Sequence, residues 1–380
     1  MRIYNKKAGL YIHVPFCSKK CNYCDFYSFA ANDLLKEEYV DAILSHTKRL
    51  AYEHSDIIFD TVFIGGGTPT ALGSKLLCEL IDGVRKTLNV EEYAEFSVET
   101  NPGLCDISDF KALSSLGVNR ISVGFQSANE SELKLLGRIH TTDDYLRTLD
   151  NVRAAGIDDV NTDIMFSLPS QTPELLYKTL DFVCRQKPTH ISAYSLKIED
   201  GTPFDKMRDS FILPDEDADA DMYLQICDTL ASRGYKHYEI SNFSLTGHEC
   251  KHNLKYWRVE DYIGLGPAAH SCFDSVRYAY KRDLGAYIAA FVGQKGTDGI
   301  LSERTVISEA ERNREKVMLG LRLAEGITKN ELLSVCSYQN AEKNIRNLTD
   351  CGYLTATPGG FALPERGMYV SNSIINLFIS

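Results

Sequence analysis

Six short runs of β-branched and aromatic residues alternate with segments of helical apolar spacing over roughly the first 200 residues, and this rhythm predicts an α/β fold. The repeated order of strand, helix and strand implies parallel strands with right-handed crossovers. An open doubly wound sheet and a complete or partial barrel of the triosephosphate isomerase type both show this order. A partial (β/α)6 TIM-type barrel is favoured because unusual residues stand at the ends of successive runs, and such ends converge on one mouth in a barrel.

The six strands and two of the helices can be placed in the sequence from their composition and from the residues that begin and end them. In chain order the predicted strands are GLYIHVP (9–15), TVFIGGG (61–67), EFSVETNP (95–102), RISVGFQS (120–127), NTDIMFSLP (161–169) and HISAYSLKIE (190–199). A helix over 143–156 starts at acidic residues and stops at Gly156. Another, over 173–186, carries Pro173 in its first turn, where proline is favoured.

The rhythm changes after residue 200. The stretch 214–244 predicts an acidic helix start, a helix that ends at Gly234 and one further strand. The next stretch, HNLKYWRVEDYIGLGPAAHSC (252–272), is rich in aromatics, glycine and histidine, and we predict a lining loop there rather than a regular element.

The last 78 residues predict a smaller α+β domain that resembles a winged helix. Ser308 and Glu311 have the spacing of a capping box before a helix that runs to Gly326, and Thr328 with Glu331 repeats that spacing. A hairpin follows around 358–360. We therefore predict a barrel over 1–240, a connecting region over 241–302 and a C-terminal domain over 303–380.

Composition narrows the function classes. The 380 residues carry a formal charge of −11, so no net positive field attracts phosphate backbones, and nucleic acid is not expected as a partner. The N-terminus lacks the apolar core of an export signal, and no apolar run of about 18 residues predicts a transmembrane segment. With eleven cysteines, mostly scattered, we expect a reducing, cytoplasmic setting.

One cluster of cysteines stands apart from the scattered ones. The segment FCSKKCNYCDF (16–26) places Cys17, Cys21 and Cys24 on one polar loop and has Phe26 where a further thiol would fall. Three thiolates on a short loop suit zinc or an iron–sulfur cluster. Zinc requires a fourth ligand, for which only Asp25 is near. A [4Fe–4S] cluster held by three thiolates leaves one iron open to an exogenous ligand, and this interpretation is favoured.

Polar residues at the predicted strand ends complete the candidate site. The segment GGGTPT (65–70) lets backbone approach a ligand because glycine has no Cβ, although the segment by itself is equally typical of a tight turn. Arg138 can bind a carboxylate through two hydrogen bonds. Glu99 and Asp163 can accept hydrogen bonds from hydroxyls, and Gln126 can both donate and accept.

These motifs resemble the radical S-adenosylmethionine (SAM) superfamily, in which C-x3-C-x2-C with an aromatic residue before the third cysteine binds a [4Fe–4S] cluster. In that superfamily SAM chelates the open iron, and reduction yields a 5′-deoxyadenosyl radical. Together with VFIGGGTPT, SVETNP, RISVGFQS, LGRIH and DIMFSLPSQT, the chain resembles the oxygen-independent coproporphyrinogen III oxidase group over most of 8–270. The resemblance implies cluster and first-SAM contacts at Tyr11, Cys17, Cys21, Tyr23, Cys24, Gly66 and Glu99, and second-SAM contacts at Gly67, Thr68, Gln126, Arg138 and Asp163.

Two features depart from the oxidases of that group. Those enzymes carry a fourth cysteine at the position of Phe26 and a longer segment before the first strand, whereas ten residues precede Tyr11 here. Both features match a sister branch of haem chaperones, which bind haem and insert it into respiratory haem proteins. The segment HNLKYW matches an H-N-x-x-Y-W motif of that branch, which implies haem contacts at His252, Asn253, Tyr256 and Trp257.

The haem ligand and the activity remain open at this point. His252 can serve as an axial iron ligand, and the rings of Tyr256 and Trp257 offer apolar area to a macrocycle. His252 can equally be a buried histidine that only forms hydrogen bonds, Cys250 or His248 can replace it as ligand, and the stretch can bind zinc. Beside the haem chaperone stand two rivals: coproporphyrinogen oxidation and radical SAM chemistry on another substrate.

Overall fold

A computed structural model describes residues 6–293 and 299–379. Its strands, numbered in chain order, are β1 (Lys6–Val14), β2 (Ile57–Gly66), β3 (Val90–Thr100), β4 (Arg120–Gln126), β5 (Asp159–Phe166), β6 (His190–Ser195), β7 (Lys236–Glu239), β8 (Asn242–Ser244), β9 (Tyr262–Leu265), β10 (His270–Phe273), β11 (Val276–Tyr280), β12 (Leu301–Val306), β13 (Ile327–Thr328), β14 (Thr355–Thr357) and β15 (Gly360–Ala362). The helices are α1 (Asp33–Glu53), α2 (Ser74–Thr87), α3 (Ile107–Ser115), α4 (Glu130–Leu135), α5 (Thr142–Ala154), α6 (Pro173–Arg185), α7 (Pro203–Lys206), α8 (Glu216–Ser232), α9 (Lys251–Trp257), α10 (Leu284–Phe291), α11 (Glu309–Gly320), α12 (Lys329–Leu333), α13 (Tyr338–Asp350), α14 (Glu365–Tyr369) and α15 (Ser371–Ile379).

The chain divides into two compact units. The first comprises Met1–Ile164, Leu196–Phe211 and Asp261–Val306, and the second comprises Met165–Ser195, Ile212–Glu260 and Ile307–Ser380. The domain boundaries that we predicted from the sequence stay a prediction.

In the first unit, consecutive strands pair side by side and in parallel from β1 to β5. On its other side β1 pairs in parallel with β9, and β10, β11 and β12 extend this edge antiparallel to one another. Strand β4 is buried at every residue from Arg120 to Gln126, so both of its faces are covered. Burial of both faces is typical of parallel sheets with helices on both faces.

The six predicted strands are confirmed as β1 to β6, and the α/β fold is confirmed with them. Helix α5 begins at a capping box of Thr141 and Asp144, and helix α6 has Pro173 at its first position. The sheet register brings the ends of the strands together: His13 pairs with Gly65, Glu99 with Ser122, and Gly124 with Asp163. This common edge carries the predicted polar residues.

In the second unit, β8 pairs antiparallel with both β6 and β7. A separate small sheet has the order β13–β15–β14 and includes the predicted hairpin. The predicted capping boxes of Ser308 with Glu311 and Thr328 with Glu331 are both present. Helices α11 to α13 with this hairpin give the α+β composition that the sequence indicates.

Three predicted elements after residue 200 are wrong. The stretch 252–272 is no loop, because it contains α9, β9 and β10. The prediction interpreted the glycines of this stretch as loop residues. Gly264 instead allows β9 and the backbone of His270 in β10 to approach closely, because a Cβ there would clash with the carbonyl oxygen of His270. The single strand predicted after Gly234 is a hairpin of β7 and β8. Helix α11 ends at Gly320 rather than Gly326, because the backbone of the following residues bonds to β7 and the turn after it.

Among the described residues, no helix combines the length and the apolar character that crossing a bilayer requires.

Candidate functional site

The cysteine loop follows β1 and is held at both ends by backbone hydrogen bonds. The amide of Cys17 donates to the carbonyl of Phe29 at 3.0 Å, and the amide of Phe29 donates to Pro15 at 3.0 Å. In the middle, Asn22 donates from its backbone to Leu136 at 3.0 Å and from Nδ2 to Leu135 at 2.8 Å. Asn22 therefore fixes the loop to the end of α4.

The three thiols fit the donor chemistry of an iron–sulfur cluster. Cys17, Cys21 and Cys24 are all partly exposed and free of disulfides. Burial, and after it the thiols of Cys21 and Cys17, raise the pKa of Cys24, so a nearby cationic metal centre would favour the thiolate of this residue. In the described part of the chain, no three His, Cys, Asp or Glu side chains are grouped to hold one metal ion. A cubane does not require such a group, because each thiolate binds its own iron.

Glycines at the end of β2 and directly after it let the backbone approach β1 and the cysteine loop closely. Gly66 has φ +110°, and a Cβ there would lie 2.6 Å from the His13 ring. A Cβ on Gly67 would lie 2.6 Å from the carbonyl oxygen of Phe16 and 3.1 Å from Sγ of Cys17. A side chain on Gly67 would push the cysteine loop away, and one on Gly66 would clash with His13 and strain the backbone, so both positions favour glycine.

A continuous set of hydrogen bonds joins the predicted SAM residues to the cluster loop. Arg138 donates from Nη2 to the hydroxyl of Tyr23 at 2.8 Å and from Nη1 to Oδ1 of Asn101 at 2.7 Å. Asn101 in turn donates from Nδ2 to Oγ1 of Thr68 at 2.9 Å. Oγ1 of Thr68 lies 3.4 Å from Sγ of Cys17. The structure therefore brings Arg138, Tyr23, Thr68 and Cys17 together.

One donor of Arg138 has no protein partner among the described residues. Its Nε is buried and has no hydrogen-bond partner among the described residues, and an unpaired buried donor is costly. Its side chain lines a cleft enclosing about 390 Å³ of empty space, open solvent included, whose walls also include Lys19, Cys21 and Asn101. A cleft with a cation and a cysteine in its wall can hold a dipolar ligand with a carboxylate.

Two carboxylates lie near the strand ends and influence each other. Burial, and after it the nearby Asp163 carboxylate, raise the pKa of Glu99 to about 8. The amide of Gly66 donates to Oε2 of Glu99 at 3.1 Å and opposes this rise, because it stabilises the carboxylate. Glu99 is therefore mostly protonated at neutral pH and can donate as well as accept. Asp163 accepts from Asn161 at 2.7 Å and from Ser122 at 3.4 Å.

The predicted strand-end positions need correction. Arg138 is not at a strand end, because α4 lies between it and β4. Gln126 is the last residue of β4 and has φ +74°, a strained value for a residue with a side chain. Glu99 is followed by one more residue of β3. Asp163 is followed by three more residues of β5, because Ile164, Met165 and Phe166 are apolar and buried and continue the strand.

Two residues of this edge were missed by sequence reasoning. Asn101 directly follows β3 and joins Arg138 to Thr68. His13 lies two residues after Tyr11, and its Nε2 faces the carbonyl of Tyr27 at 2.9 Å. Nε2 must therefore carry the proton, so Nδ1 accepts from the Tyr11 hydroxyl at 3.0 Å. The sequence held a signal for each residue. Asn101 stands near the end of a predicted strand, and His13, two residues after Tyr11 in a strand, points to the same face as Tyr11.

The HNLKYW segment belongs to the second unit and forms most of α9. His252 is fully buried, and its Nε2 lies 2.7 Å from the hydroxyl of Tyr256 one turn later. Burial lowers the pKa of His252 to about 3, so the ring is neutral. Trp257 forms a side-chain hydrogen bond with Glu239, which is also fully buried.

The predicted haem contacts therefore stay a prediction, although the structure shows how far each of these side chains is exposed. Tyr256 and Trp257 are partly exposed, as is Asn253. Cys250, the alternative ligand, is 2% exposed and directly precedes α9.

Comparison with known proteins defines the class of protein to which the chain belongs. A model described as "Radical SAM superfamily" matches residues 11–183, and one described as "HemN C-terminal domain" matches residues 307–370. The structure matches that of coproporphyrinogen III oxidase (HemN) from Escherichia coli with a TM-score of 0.84, covering 100% of this chain and 91% of that one at 21% identity. The chain is a radical SAM protein with the partial-barrel fold that its sequence predicts.

Full-length relatives identify the family within this class. "Heme chaperone HemW" of Lactococcus lactis is 33% identical over 98% of both chains. Proteins of the same name from Escherichia coli and Bacillus subtilis are 34% and 30% identical, again over at least 97% of each chain. The chain belongs to the HemW family of radical SAM proteins. Membership of the radical SAM superfamily implies a [4Fe–4S] cluster and SAM as cofactors.

Proposed function

We propose that this chain is a cytoplasmic haem chaperone that carries a [4Fe–4S] cluster, binds SAM and transfers haem to respiratory haem proteins. The observation that carries the proposal is the full-length similarity to proteins named heme chaperone, which extends over 98% of both chains in the Lactococcus lactis relative. Phe26, 64% exposed on the cysteine loop, stands where the oxidases have a fourth cysteine and supports the same choice.

In this proposal Cys17, Cys21 and Cys24 hold the cluster. When bound, the cluster supplies an open iron that binds the methionyl end of SAM and can pass it an electron. The chain itself would position the cluster and SAM. Gly66 and Gly67 would let these groups approach the backbone closely, and the contacts of Asn22 hold the cysteine loop in place.

The polar edge residues would bind the rest of SAM. Arg138 has a free Nε for a carboxylate and is held in place by Tyr23 and Asn101. Glu99, protonated at neutral pH, and Asp163 would bind hydroxyls, and Tyr11, Thr68 and Gln126 would complete the shell.

Haem would bind at α9 in the second unit. His252 would supply the axial nitrogen, and the partly exposed Tyr256 and Trp257 would offer ring area to the macrocycle. Asn253 would form a polar contact at the same helix.

The test uses the full chain, reconstituted anaerobically with iron and sulfide. Haemin added to it should shift the Soret band, and the shift should diminish in His252→Ala. Mixing the loaded chain with a haem-free respiratory acceptor should move the Soret signal to the acceptor. A parallel sample with SAM, reductant and coproporphyrinogen III should yield no protoporphyrinogen. Formation of that product would instead favour coproporphyrinogen oxidation, and a different organic product of SAM turnover would favour another radical SAM enzyme.

A further inference from the structure

Thr68 carries a hydroxyl group that lies against the sulfur of one proposed cluster ligand. Its Oγ1 is 3.4 Å from Sγ of Cys17, a distance at which a hydroxyl and a sulfur form a hydrogen bond. Thr68 is 2% exposed, so bulk water has little access to this contact. The backbone holds the segment in place, because the amide of Thr68 donates to the carbonyl of Phe16 at 2.7 Å and that of Gly67 donates to Val14 at 2.8 Å.

The direction of the hydrogen bonds that reach Thr68 follows from the donors available. Arg138 has only donors, and its Nη1 lies 2.7 Å from Oδ1 of Asn101. The oxygen of the Asn101 amide therefore faces Arg138, and Nδ2 faces Thr68 and donates to Oγ1 at 2.9 Å. Thr68 accepts this bond on its oxygen and keeps its own proton for another acceptor. The sulfur of Cys17 is an acceptor at the required distance.

Ligation of a cluster would decide which of the two groups donates. In the free thiol, either the sulfur of Cys17 or the hydroxyl of Thr68 can be the donor. As an iron ligand, Cys17 is a thiolate, which has no proton and can only accept. The hydroxyl of Thr68 must then donate to the sulfur. A hydrogen bond to an ionised acceptor is roughly twice as strong as one between neutral groups.

A hydrogen-bond donor at a cluster sulfur favours the reduced form of the cluster. Hydrogen bonds to the sulfurs are among the factors that set the reduction potential of an iron–sulfur cluster. An added electron increases the negative charge on the sulfurs, so a buried hydroxyl that donates to one of them stabilises the reduced form more than the oxidised form. The position of the Thr68 hydroxyl is therefore one from which it can raise the reduction potential.

We propose that Thr68 tunes the reduction potential of the cluster by donating a hydrogen bond to the Cys17 thiolate. Asn101, oriented by Arg138, is the positioning residue that directs this donor. The inference rests on the proposed ligation of the cluster by Cys17 and adds a role for side chains that do not bind iron. The same series of hydrogen bonds joins the arginine of the proposed carboxylate site to a cluster sulfur.

The test measures the reduction potential of the cluster in the full chain, reconstituted anaerobically with iron and sulfide and kept free of SAM. Titration with dithionite and redox mediators is followed by electron paramagnetic resonance. Thr68→Val keeps the shape of the side chain but removes the hydroxyl, so the ratio of reduced to oxidised cluster at a given potential should fall roughly 10-fold. For one electron, this fall corresponds to a reduction potential that is lower by about 59 mV. Thr68→Ser keeps a hydroxyl and should restore most of the wild-type potential.

Thr70→Val is the matched control. Thr70 belongs to the same GGGTPT segment and is 5% exposed, but its Oγ1 lies 2.9 Å from Oγ1 of Thr100. The substitution removes a buried hydroxyl that is paired with another threonine, so the reduction potential should stay at the wild-type value.

Asn101→Leu is a second test variant that leaves Thr68 and the cysteine loop unchanged in sequence. It removes the amide that directs the Thr68 hydroxyl toward the sulfur. Its reduction potential should therefore be lower than that of the wild type, by less than in Thr68→Val.

The outcomes separate this inference from the proposed function. Lower potentials in Thr68→Val and Asn101→Leu, with wild-type values in Thr68→Ser and Thr70→Val, support the inference. Equal potentials in wild type and Thr68→Val, both with about four irons per chain, would overturn it and leave the cluster ligands intact. An equal decrease in Thr70→Val would overturn it as well. If Thr68→Val does not hold a cluster, an unchanged potential in Asn101→Leu overturns the inference. A wild type that holds no cluster would overturn the proposed function together with it.

Discussion

Arg138 donates a 2.8 Å hydrogen bond from Nη2 to the hydroxyl of Tyr23, the residue directly before Cys24. This bond joins the segment after α4 to the cysteine loop, from positions 115 residues apart in the chain. The guanidinium also lies near the Tyr23 ring, 5.9 Å from its centroid. Arg138 therefore positions the loop, and in the proposed SAM site it would also offer a donor to the ligand.

Replacing Arg138 should weaken SAM binding. Arg138→Lys substitutes a single ammonium for a planar fork of donors, so the contacts to Tyr23 and Asn101 and a two-bond contact to a carboxylate cannot all be made. We expect SAM affinity to fall roughly 10-fold or more, as for lost hydrogen bonds to a charged group. Anaerobic calorimetric titration of the reconstituted chain measures this. Arg147→Lys, at an arginine 73% exposed, is the control, and equal affinities in both variants would contradict the assignment.

Loss of any one of the three loop thiols should abolish the cluster. Cys17→Ser, Cys21→Ser and Cys24→Ser should each lose the signal of about four irons and four sulfides per chain, because each thiolate binds its own iron. Cys78→Ser, on α2 and away from the loop, should retain it. Iron and acid-labile sulfide assays with visible absorption check this. Full iron in a loop variant, or loss in Cys78→Ser, would remove the proposed ligand set.

A methyl group at Gly67 should also disturb the cluster. Its Cβ would lie 2.6 Å from the carbonyl oxygen of Phe16, which is backbone and cannot rotate away. We expect Gly67→Ala to hold less than about half of the wild-type iron and to lose about 1–3 kcal/mol of unfolding free energy, as for other overpacked sites. Gly359→Ala, where a Cβ meets no atom within 4 Å, should leave both unchanged. Wild-type iron content in Gly67→Ala would show that the loop can move aside.

The raised pKa of Glu99 predicts a pH-dependent stability. Since its pKa rises from 4.5 in the unfolded chain to about 8 in the folded chain, folding favours the protonated form. The wild type should therefore lose stability as pH increases between these values, and Glu99→Gln should not. The variant should gain up to about 5 kcal/mol relative to the wild type above pH 8, and nothing below pH 4.5. Denaturant unfolding of cluster-free protein across this range measures the difference, and a constant difference would refute the pKa assignment.

The parallel strands and the cysteine loop were predictable because their signals are local. β-branched runs, glycine punctuation and thiol spacing all lie within a few residues of the element that they describe. The pairing of β9 with β1 was not predictable in this way, because Gly9 and Tyr262 meet only through the tertiary fold. Without that pairing, Gly264 in β9 and Gly266 directly after it indicate a loop.

The same division between local and tertiary information applies to the polar edge residues and to the HNLKYW segment. Thr68 could be placed at the edge from the end of its predicted strand, whereas Arg138 follows α4. Asn101 stands near the end of a predicted strand, but only the geometry shows that it joins Arg138 to Thr68. For His252 the sequence left two alternatives open, an axial ligand and a buried histidine that only forms hydrogen bonds. The structure shows the ring buried and 2.7 Å from the Tyr256 hydroxyl, which local sequence alone does not reveal.

The most direct test of the account counts non-haem iron, sulfide and haem in one anaerobically reconstituted sample of the full chain, before and after mixing with a haem-free respiratory acceptor. We predict about four non-haem irons and four sulfides per chain that stay with the protein, and bound haem that leaves it for the acceptor. A metal centre ligated entirely by protein, the absence of a cluster, or haem that never binds or never leaves would contradict the account.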